Sequence, residues 1–328
     1  MEEKTPEYIE FLKTRISPNV KPEIAELMIK YALTPEEHNN ALKNVADYCF
    51  RNKRPDINPK IFLVIAQTGG GKSTLTSEII KNNPNTVVID SDAFKAFNPK
   101  KQEISAKYPT LYGYLTGIDA YLHRDEIYKF ALKNGYNVLV EIAPSTKERL
   151  FTIDFEELKK YGYQIDANIL AVSLSNSLLS VHERFEGQIE ARMAAPKLTD
   201  FKRANDSYNA VDLVLDDLIN MPEVNLSIWQ RGSNTFEAGD DEFEEQYIPS
   251  PVFLTRDKKE AVQVFNNARL LDQENTRLSA PERIKIIKAQ METRRAPTEQ
   301  RAQFSKVVEE ISNEMELSWL SHKGDSHK

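Results

Sequence analysis

The fold is decided by residues 61–73, which read IFLVIAQTGGGKS. Five apolar residues without alternation predict a short strand that is buried on both faces of a parallel sheet. Three consecutive glycines, a lysine and a serine come next, and a helix-forming stretch follows them. The whole chain has only 11 glycines, so this cluster marks a place where the backbone turns sharply or approaches a ligand. Strand, glycine-rich loop and helix in this order are typical of a P-loop.

The loop at residues 66–73 is predicted to bind the phosphates of ATP, because N–H groups at a helix N-terminus lack intrahelical partners and the helix dipole favours anions. We expect Lys72 to reach the β and γ phosphates and the Ser73 hydroxyl to hold Mg²⁺. Ala66 stands where the pattern has glycine. Either a modest backbone adjustment preserves ATP binding, which the intact Gly71, Lys72 and Ser73 favour, or the loop is a remnant. The predicted ATP-binding residues are Gln67, Thr68, Gly69, Gly70, Gly71, Lys72, Ser73 and Thr74.

Short apolar runs alternate with helix-forming stretches over the following 160 or so residues, as in βαβ units. Four further strands are predicted, at residues 86–89, 137–140, 167–172 and 224–228. The helices predicted between them span residues 72–81, 118–134, 146–161 and 198–220. This alternation predicts an α/β domain with a doubly wound parallel sheet of the P-loop NTPase type. In such a sheet, ligands bind at the carboxyl ends of the strands.

Helical extensions are predicted on both sides of this domain. Helix-capping residues and apolar residues at helical spacing predict three helices in the N-terminal extension, the last one ending near Arg51. Towards the other end, residues 279–282 open a helix and residues 298–320 form another. Six carboxylates in residues 237–245 predict a solvated loop rather than a metal site. The resulting domain boundaries are 1–58 for the helical N-terminal extension, 59–235 for the P-loop domain and 236–328 for the acidic loop and helical C-terminal region.

Composition excludes several classes of protein. The 328 residues contain 43 basic and 50 acidic side chains, and the net charge of −7 argues against a protein that binds nucleic acid electrostatically, although a local basic cleft remains compatible with it. One cysteine, Cys49, excludes an intramolecular disulfide and is expected to be buried in a helix. The longest apolar run, residues 61–66, is far shorter than the roughly 20 residues of a membrane-spanning helix. We therefore expect a soluble cytoplasmic protein without a membrane partner, while delivery into another cell by a specialised secretion system would leave no mark on these patterns.

Two carboxylates follow the second predicted strand, in the run VIDSDAFK at residues 88–95. Parallel-sheet geometry places this strand end at the same edge as the phosphate loop. Asp90 and Asp92 could there divide two tasks, namely orienting the metal shell and accepting a proton from an attacking hydroxyl. The alternative is that one of them merely caps the following helix.

The sequence resembles the zeta toxin family of P-loop kinases over about residues 60–232. The resemblance is carried by the phosphate loop together with IDSDAFK at 89–95, YNVLVE at 136–141, ERFE at 183–186 and ARMAAPK at 191–197. It implies transfer of the γ-phosphate of ATP to a hydroxyl of a nucleotide-linked small molecule, characteristically the 3′-hydroxyl of the sugar in UDP-N-acetylglucosamine. It also implies restraint of the activity by an antitoxin or another regulatory protein.

The resemblance assigns roles to individual residues. Asp92 matches the general base and Lys72 the phosphate lysine, while Arg184 and Arg192 match arginines around the transferred phosphoryl group. The stretch from Arg184 to Pro196 is polar and suits a mobile lid. The side chains expected on the substrate side are Asp90, Lys95, Asp125 and Glu141. Of these, Lys95 either contacts phosphate or covers the sheet with its alkyl stem.

One segment departs from the family pattern and leaves the acceptor open. Zeta toxins commonly continue after the strand-end glutamate with Gly-Thr-Gly-Arg, whereas Glu141 is followed here by IAPST at residues 142–146. Ser145 or Thr146 could replace the missing hydroxyl. NAD and a polynucleotide end are alternative acceptors, and an ATP-gated interaction protein without catalysis is the alternative function. The N-terminal extension could restrain the activity by covering the nucleotide site.

Overall fold

The computed structural model describes residues 4–108, 111–147, 150, 153–193, 196–231, 250–253, 258–274, 276 and 278–325. The acidic segment at residues 237–245 lies outside them. Within the described residues, a mixed sheet contains the strands β1 (Lys60–Ile65), β2 (Thr86–Ile89), β3 (Asn137–Ile142), β4 (Gln164–Ala171), β5 (Val224–Gln230) and β6 (Ser250–Phe253). The strand order is β2-β3-β1-β4-β5-β6. All neighbours from β2 to β5 pair in parallel, and β6 pairs with β5 in the antiparallel direction. The predicted doubly wound parallel sheet is confirmed.

Helices flank the sheet and extend the chain at both ends. The first eight are α1 (Pro6–Thr14), α2 (Pro22–Tyr31), α3 (Pro35–Phe50), α4 (Lys72–Asn82), α5 (Ser91–Phe94), α6 (Lys101–Lys107), α7 (Tyr112–Leu115) and α8 (Gly117–Lys133). The later ones are α9 (Phe155–Lys160), α10 (Leu174–Glu190), α11 (Phe201–Ile219), α12 (Lys258–Glu274), α13 (Ala280–Thr293) and α14 (Thr298–Asp325). The helices predicted in the N-terminal extension are therefore confirmed as α1 to α3. In the described part of the chain, no helix is long and apolar enough to cross a membrane.

Local capping explains where several helices begin. Thr34 and Ser279 each form a capping box with the glutamate three residues later, at the starts of α3 and α13. This reciprocal bonding satisfies N–H groups that a helix N-terminus otherwise leaves without partners. The sequence indicates both starts, because the cap and its partner lie within one turn.

The central strand β1 packs on both faces. Ile61, Leu63 and Ile65 belong to the main hydrophobic cluster, which also includes the predicted buried Cys49 of α3. Phe62 and Val64 face the other way, into a cluster that includes residues of α4. The strand is thus apolar throughout because neither face meets water.

The prediction of a helix over residues 146–161 is wrong at its beginning. Helix α9 starts only at Phe155, where the side chain of Asp154 accepts a hydrogen bond from the Glu157 N–H at 3.0 Å. The Thr146 hydroxyl instead donates to the carboxylate of Asp206 on α11. This bond places Thr146 beside α11, outside α9.

The stretch predicted as a polar lid is also corrected, because residues 184–190 form the last turns of α10. Ser173 caps this 17-residue helix by accepting a hydrogen bond from the Asn176 N–H at 3.3 Å. Leu178 and Leu179 on the buried side of α10 pack in one cluster with residues of α13 and α14. The C-terminal helices therefore supply the apolar environment that stabilises α10.

Charged side chains reinforce this packing. Arg283 of α13 forms an ion pair with Glu183 at 2.6 Å, and Arg294 does so with Glu186 at 2.6 Å. The buried carboxylate of Asp272 on α12 accepts hydrogen bonds from the N–H and hydroxyl of Ser173, both at 2.9 Å. We call these three contacts the C-terminal clamp on α10.

Candidate active site

The phosphate loop joins β1 to α4 and depends on two glycines in left-handed conformations. Gly69 has a φ of +80° and Gly71, the N-cap residue of α4, has a φ of +88°. A Cβ atom on Gly69 would lie 2.2 Å from the carbonyl oxygen of Ser177 in α10. Glycine is therefore required at this position both by the backbone conformation and by the close approach of α10.

Ala66 does not prevent the loop from forming. Its side chain is fully buried in the same cluster as Leu75 of α4, and its N–H donates to the Ile142 carbonyl at 3.2 Å. The next residue, Gln67, is also fully buried, and its amide donates to the Val172 carbonyl at 2.8 Å. The methyl group in place of a hydrogen is thus accommodated by core packing at the end of β1.

Lys72 folds over this loop. Its ammonium donates to the carbonyls of Ala66 at 3.1 Å and Gln67 at 3.2 Å. Loss of hydration lowers the pKa of Lys72 to about 8, with the positive charges of Arg184 and Arg203 acting in the same direction and Glu141 opposing them. Several cations therefore converge near the loop, as a polyphosphate requires.

A cleft of about 500 Å³ opens at the carboxyl ends of the strands, next to the loop. Its charged lining residues are Arg15, Lys72, Asp90, Asp92, Arg124, Asp125, Glu141 and Arg203. Five residues predicted from the sequence are thus brought to one place by the phosphate loop, β2, β3 and α8. A cleft at the carboxyl edge, where the chain switches sides of the sheet around β1, is the usual position for a ligand in such folds.

The two aspartates after β2 have different surroundings. Asp90 caps α5, accepting hydrogen bonds from the N–H groups of Asp92 at 2.9 Å and Ala93 at 3.3 Å. Of the two aspartates, Asp90 is therefore the one that caps the following helix. The Asp92 carboxylate instead forms ion pairs with Lys95 at 2.5 Å and Lys197 at 3.4 Å. Desolvation would raise the pKa of Asp92, but these two ammonium groups outweigh it and the net pKa is lowered.

Glu141 lies near the end of β3, opposite Val64 of β1 in the sheet register. Its carboxylate accepts a hydrogen bond from the Thr76 hydroxyl at 2.7 Å. Burial raises the pKa of Glu141, against the effects of Thr76 and Lys72. Glu141 therefore lines the cleft together with Lys72 and also contacts α4, the helix that follows the phosphate loop.

The predicted arginines occupy different positions. Arg184 lies on the exposed side of α10, near enough to Lys72 for its charge to depress the lysine pKa. Arg192 follows the end of α10 with a φ of +51° and an exposed side chain. Among the described residues, no ion pair joins Arg192 to a residue that lines the cleft. Neither arginine is among the residues that line the cleft, and of the two only Arg184 lies close enough to Lys72 to affect its pKa.

Sequence reasoning missed other side chains of the cleft. Arg203, near the start of α11, lines it and donates to the Ala143 carbonyl at 3.0 Å. Arg15, Tyr121 and Arg124 also line it, from the end of α1 and from α8. No local motif marks these positions, because each is brought to the cleft by helix packing. The one signal in the sequence for Tyr121 and Arg124 was the predicted Asp125, which lies within about one turn of them on the same helix.

The residues present fit an ATP phosphate site. Left-handed glycines place the loop backbone at the N-terminus of α4, and Lys72 and the exposed Ser73 follow directly. The described residues contain no group of three His, Cys, Asp or Glu side chains that could hold a metal ion. P-loop enzymes hold Mg²⁺ by the loop serine or threonine together with an aspartate and the nucleotide phosphates, so the ion needs no cluster of three such side chains. Ser73 would hold it here.

The chain is similar in sequence to curated zeta toxins. The chain is 28% identical over 157 residues to Toxin zeta of Streptococcus pyogenes and 28% identical over 151 residues to Toxin zeta of Enterococcus hirae. The aligned parts are 47% and 45% of this chain and 53% and 51% of the relatives. The chain thus spans about half the length of the curated relatives it matches.

A solved structure shows the same fold. It belongs to the PezAT chromosomal toxin–antitoxin system of Streptococcus pneumoniae, with a TM-score of 0.54 at 21% identity, covering 72% of this chain and 96% of that one. The sequence model of the zeta toxin family matches residues 45–236, from the second half of α3 to beyond β5. This span is more than half of the chain and contains the phosphate loop, Asp92 and Glu141, so the chain belongs to the zeta toxin family.

Proposed function

We propose that this protein is an ATP-dependent kinase that transfers the γ-phosphate to a hydroxyl group of a nucleotide-linked small molecule. The observation that carries the proposal is the single cleft shared by Lys72 of the phosphate loop and the ionised carboxylate of Asp92. A cation site for phosphates and a proton acceptor in one cleft are the two elements that phosphoryl transfer to a hydroxyl requires. Membership of the zeta toxin family supports the same reaction class.

In the proposed reaction, Asp92 accepts the proton of the acceptor hydroxyl. The acceptor oxygen forms a bond to the γ-phosphorus, the bond to the β–γ bridging oxygen breaks, and ADP leaves with the bonding electrons. Lys72 and Arg184 neutralise charge on the phosphates, and Arg192 would join them only after moving from its present position. Mg²⁺ held at the Ser73 hydroxyl would supply further neutralisation of the phosphate charge.

UDP-N-acetylglucosamine is the acceptor we propose to test first. Two observations support this choice: a carboxylate, Glu141, lies beside the phosphate loop, and the curated relatives are zeta toxins. The segment after Glu141 is held by Arg203, whose guanidinium bonds to the Ala143 carbonyl at 3.0 Å. An arginine from α11 thus contacts the segment in which the family pattern has an arginine of its own. NAD and polynucleotide ends are the competing acceptors.

An antitoxin protein is the proposed partner, since the structural relative comes from a toxin–antitoxin system. The cytoplasm is the proposed compartment, because ATP and nucleotide-linked sugars occur there.

The decisive experiment incubates the protein with γ-labelled ATP, Mg²⁺ and, separately, UDP-N-acetylglucosamine, NAD, nucleosides and an oligonucleotide. We expect label in a small nucleotide-linked product, none in the oligonucleotide, and none with Asp92→Asn, which should retain wild-type ATP affinity. ATP binding without any labelled product would overturn the kinase proposal and favour an ATP-gated interaction protein. Wild-type turnover by Asp92→Asn would exclude that residue as the base.

A further inference from the structure

The part of the cleft formed by α1 and α8 carries a charge arrangement that the roles above leave unused. Asp125 pairs with two arginines, with Arg124 Nη2 at 2.7 Å and with Arg15 Nη1 at 3.7 Å. The Arg124 guanidinium also lies over the ring of Tyr121, 5.2 Å from its centroid. All four side chains line the cleft, and we call them the arginine wall.

The position of Arg15 is fixed by the fold. Arg15 is the C-cap residue of α1, and its N–H bonds to the Leu12 carbonyl at 3.0 Å. Leu12 is fully buried, in one hydrophobic cluster with Ile118 and Leu122 of α8. Since Ile118 and Leu122 also line the cleft, α1 is anchored to the same helix that forms the wall.

The chemistry of the wall suits an anion attached to a flat ring. Two guanidinium groups share one carboxylate, which leaves an excess positive charge, and each guanidinium has five N–H donors, more than the contacts to Asp125 use. Bidentate recognition of phosphate oxygens is the role for which guanidinium groups are best suited. Tyr121 is 48% exposed, so its ring offers a surface on which a base can stack.

We infer that Arg15, with Arg124, binds the diphosphate of a nucleotide-linked acceptor while Tyr121 stacks on its base. The inference rests on the proposed kinase function and names the residues that recognise its acceptor. Arg15 lies outside residues 45–236, to which the family model is matched. The N-terminal extension therefore contributes directly to acceptor binding, in place of a purely inhibitory role.

The test measures binding and kinetics for wild type, Arg15→Ala and Arg15→Lys. For Arg15→Ala we expect the KM for the acceptor to rise about tenfold to a hundredfold, as for loss of a charge-assisted hydrogen bond, with kcat and the KM for ATP unchanged. The KM of Arg15→Lys for the acceptor should lie between those of wild type and Arg15→Ala, because an ammonium keeps the charge but not the fork geometry. Calorimetric titration with UDP-N-acetylglucosamine and with NAD, in the presence of a non-hydrolysable ATP analogue, should show the same order.

Lys13→Ala is the matched control, because Lys13 is on the same helix, 52% exposed and paired with Glu10. Equal acceptor affinity in wild type and Arg15→Ala, an equal loss in Lys13→Ala, or no binding of either compound by wild type would overturn the inference. Failure of the kinase proposal is distinguishable. In that case wild type would bind ATP and acceptor but form no product, while the affinity difference caused by Arg15→Ala would persist.

Discussion

The pKa values of Lys72 and Asp92 in the cleft are both lowered, and the causes suit one residue to binding phosphate and the other to accepting a proton. Lys72 has a lowered pKa because it is desolvated among other cations, and Asp92 has a lowered pKa because two ammonium groups outweigh its desolvation. The negative charge of a polyphosphate would stabilise the protonated form of Lys72. Asp92 stays ionised and is able to take up a proton. Groups with shifted pKa values in one cleft are typical of acid–base and phosphate chemistry.

The pKa of Lys72 predicts a pH dependence of ATP binding. With a pKa of about 8, the lysine loses its proton as the pH rises through 8, and the phosphates should raise the pKa again on binding. ATP affinity should therefore decrease above pH 8, with proton uptake on binding. Calorimetry in buffers of different ionisation enthalpy measures that uptake. Lys72→Arg, which does not titrate in this range, should bind without it, and pH-independent proton uptake in wild type would contradict the prediction.

The surroundings of Asp92 predict a second pH effect. Lys95 stabilises the ionised carboxylate, so Lys95→Ala should let the Asp92 pKa rise. The acid limb of the kcat profile should then move towards neutral pH, because the base is protonated sooner as the pH falls. Lys101→Ala is the control, since Lys101 donates to the Ala96 carbonyl rather than to Asp92. An acid limb that does not move would show that Asp92 is not the group being titrated.

At the scale of elements, α10 is the helix on which the site depends most. The Ser177 carbonyl of α10 lies next to Gly69 of the phosphate loop, and Arg184 is on the same helix. The C-terminal clamp stabilises the helix through ion pairs to Glu183 and Glu186. The loop and the clamp therefore contact the same helix, and a displacement of α10 would change the contact between Ser177 and the loop.

Two glycines near this helix should respond differently to substitution. Gly69→Ala would place a Cβ 2.2 Å from the Ser177 carbonyl at a φ of +80°, so we expect destabilisation by about 1–3 kcal/mol and loss of ATP affinity. Gly187→Ala, where a Cβ meets no atom within 4 Å, should keep ATP affinity and gain up to about 1 kcal/mol from helix propensity. Urea unfolding and ATP titration distinguish them, and wild-type ATP affinity in Gly69→Ala would count against the close approach.

The clamp makes a prediction about stability. Arg294→Ala leaves the Glu186 carboxylate, 2% exposed, without its ion pair, and should cost about 3–5 kcal/mol. Replacing both partners, with Glu186→Gln and Arg294→Met, should restore most of the loss, because no uncompensated buried charge remains. Lys107→Ala, at an exposed pair with Glu103, should leave the urea midpoint unchanged. A midpoint for Arg294→Ala equal to that of wild type would contradict the role of the clamp.

The sequence predicted the parts of the fold that are determined locally. The strand, loop and helix around Lys72 follow from residues adjacent in the chain, and so do the capping boxes of Thr34 and Ser279. The helical character of residues 184–190 was missed because the stretch is mostly polar, and its buried residues Phe185 and Glu186 contact Arg294, about a hundred residues later. Arg15 was missed for the same reason, since only the packing of Leu12 brings it to the cleft.

At the scale of the whole molecule, the C-terminal helices are part of the same folded unit as the sheet. Phe265 of α12 is buried in the main core, and Ile287, Phe304 and Ile311 of α13 and α14 pack against α10. A chain that ends after Arg231 should therefore lose cooperative folding and ATP binding, and adding residues 250–328 as a separate polypeptide should restore both in part. Size-exclusion chromatography and ATP titration provide the measurements. A truncated chain that is monomeric, folded and binds ATP like wild type would contradict this view.

The C-terminal clamp also sets an order of events during synthesis. The ribosome completes the phosphate loop early, but α10 obtains the partners of Ser173, Glu183 and Glu186 only after residues 272–294 have been made. A nascent chain thus carries its nucleotide-binding motif, while residues 74–271 are being made, without the contacts that hold α10 against it. Under the proposed function, kinase activity that appears only after residues 272–294 have been made leaves time for a restraining protein to bind first.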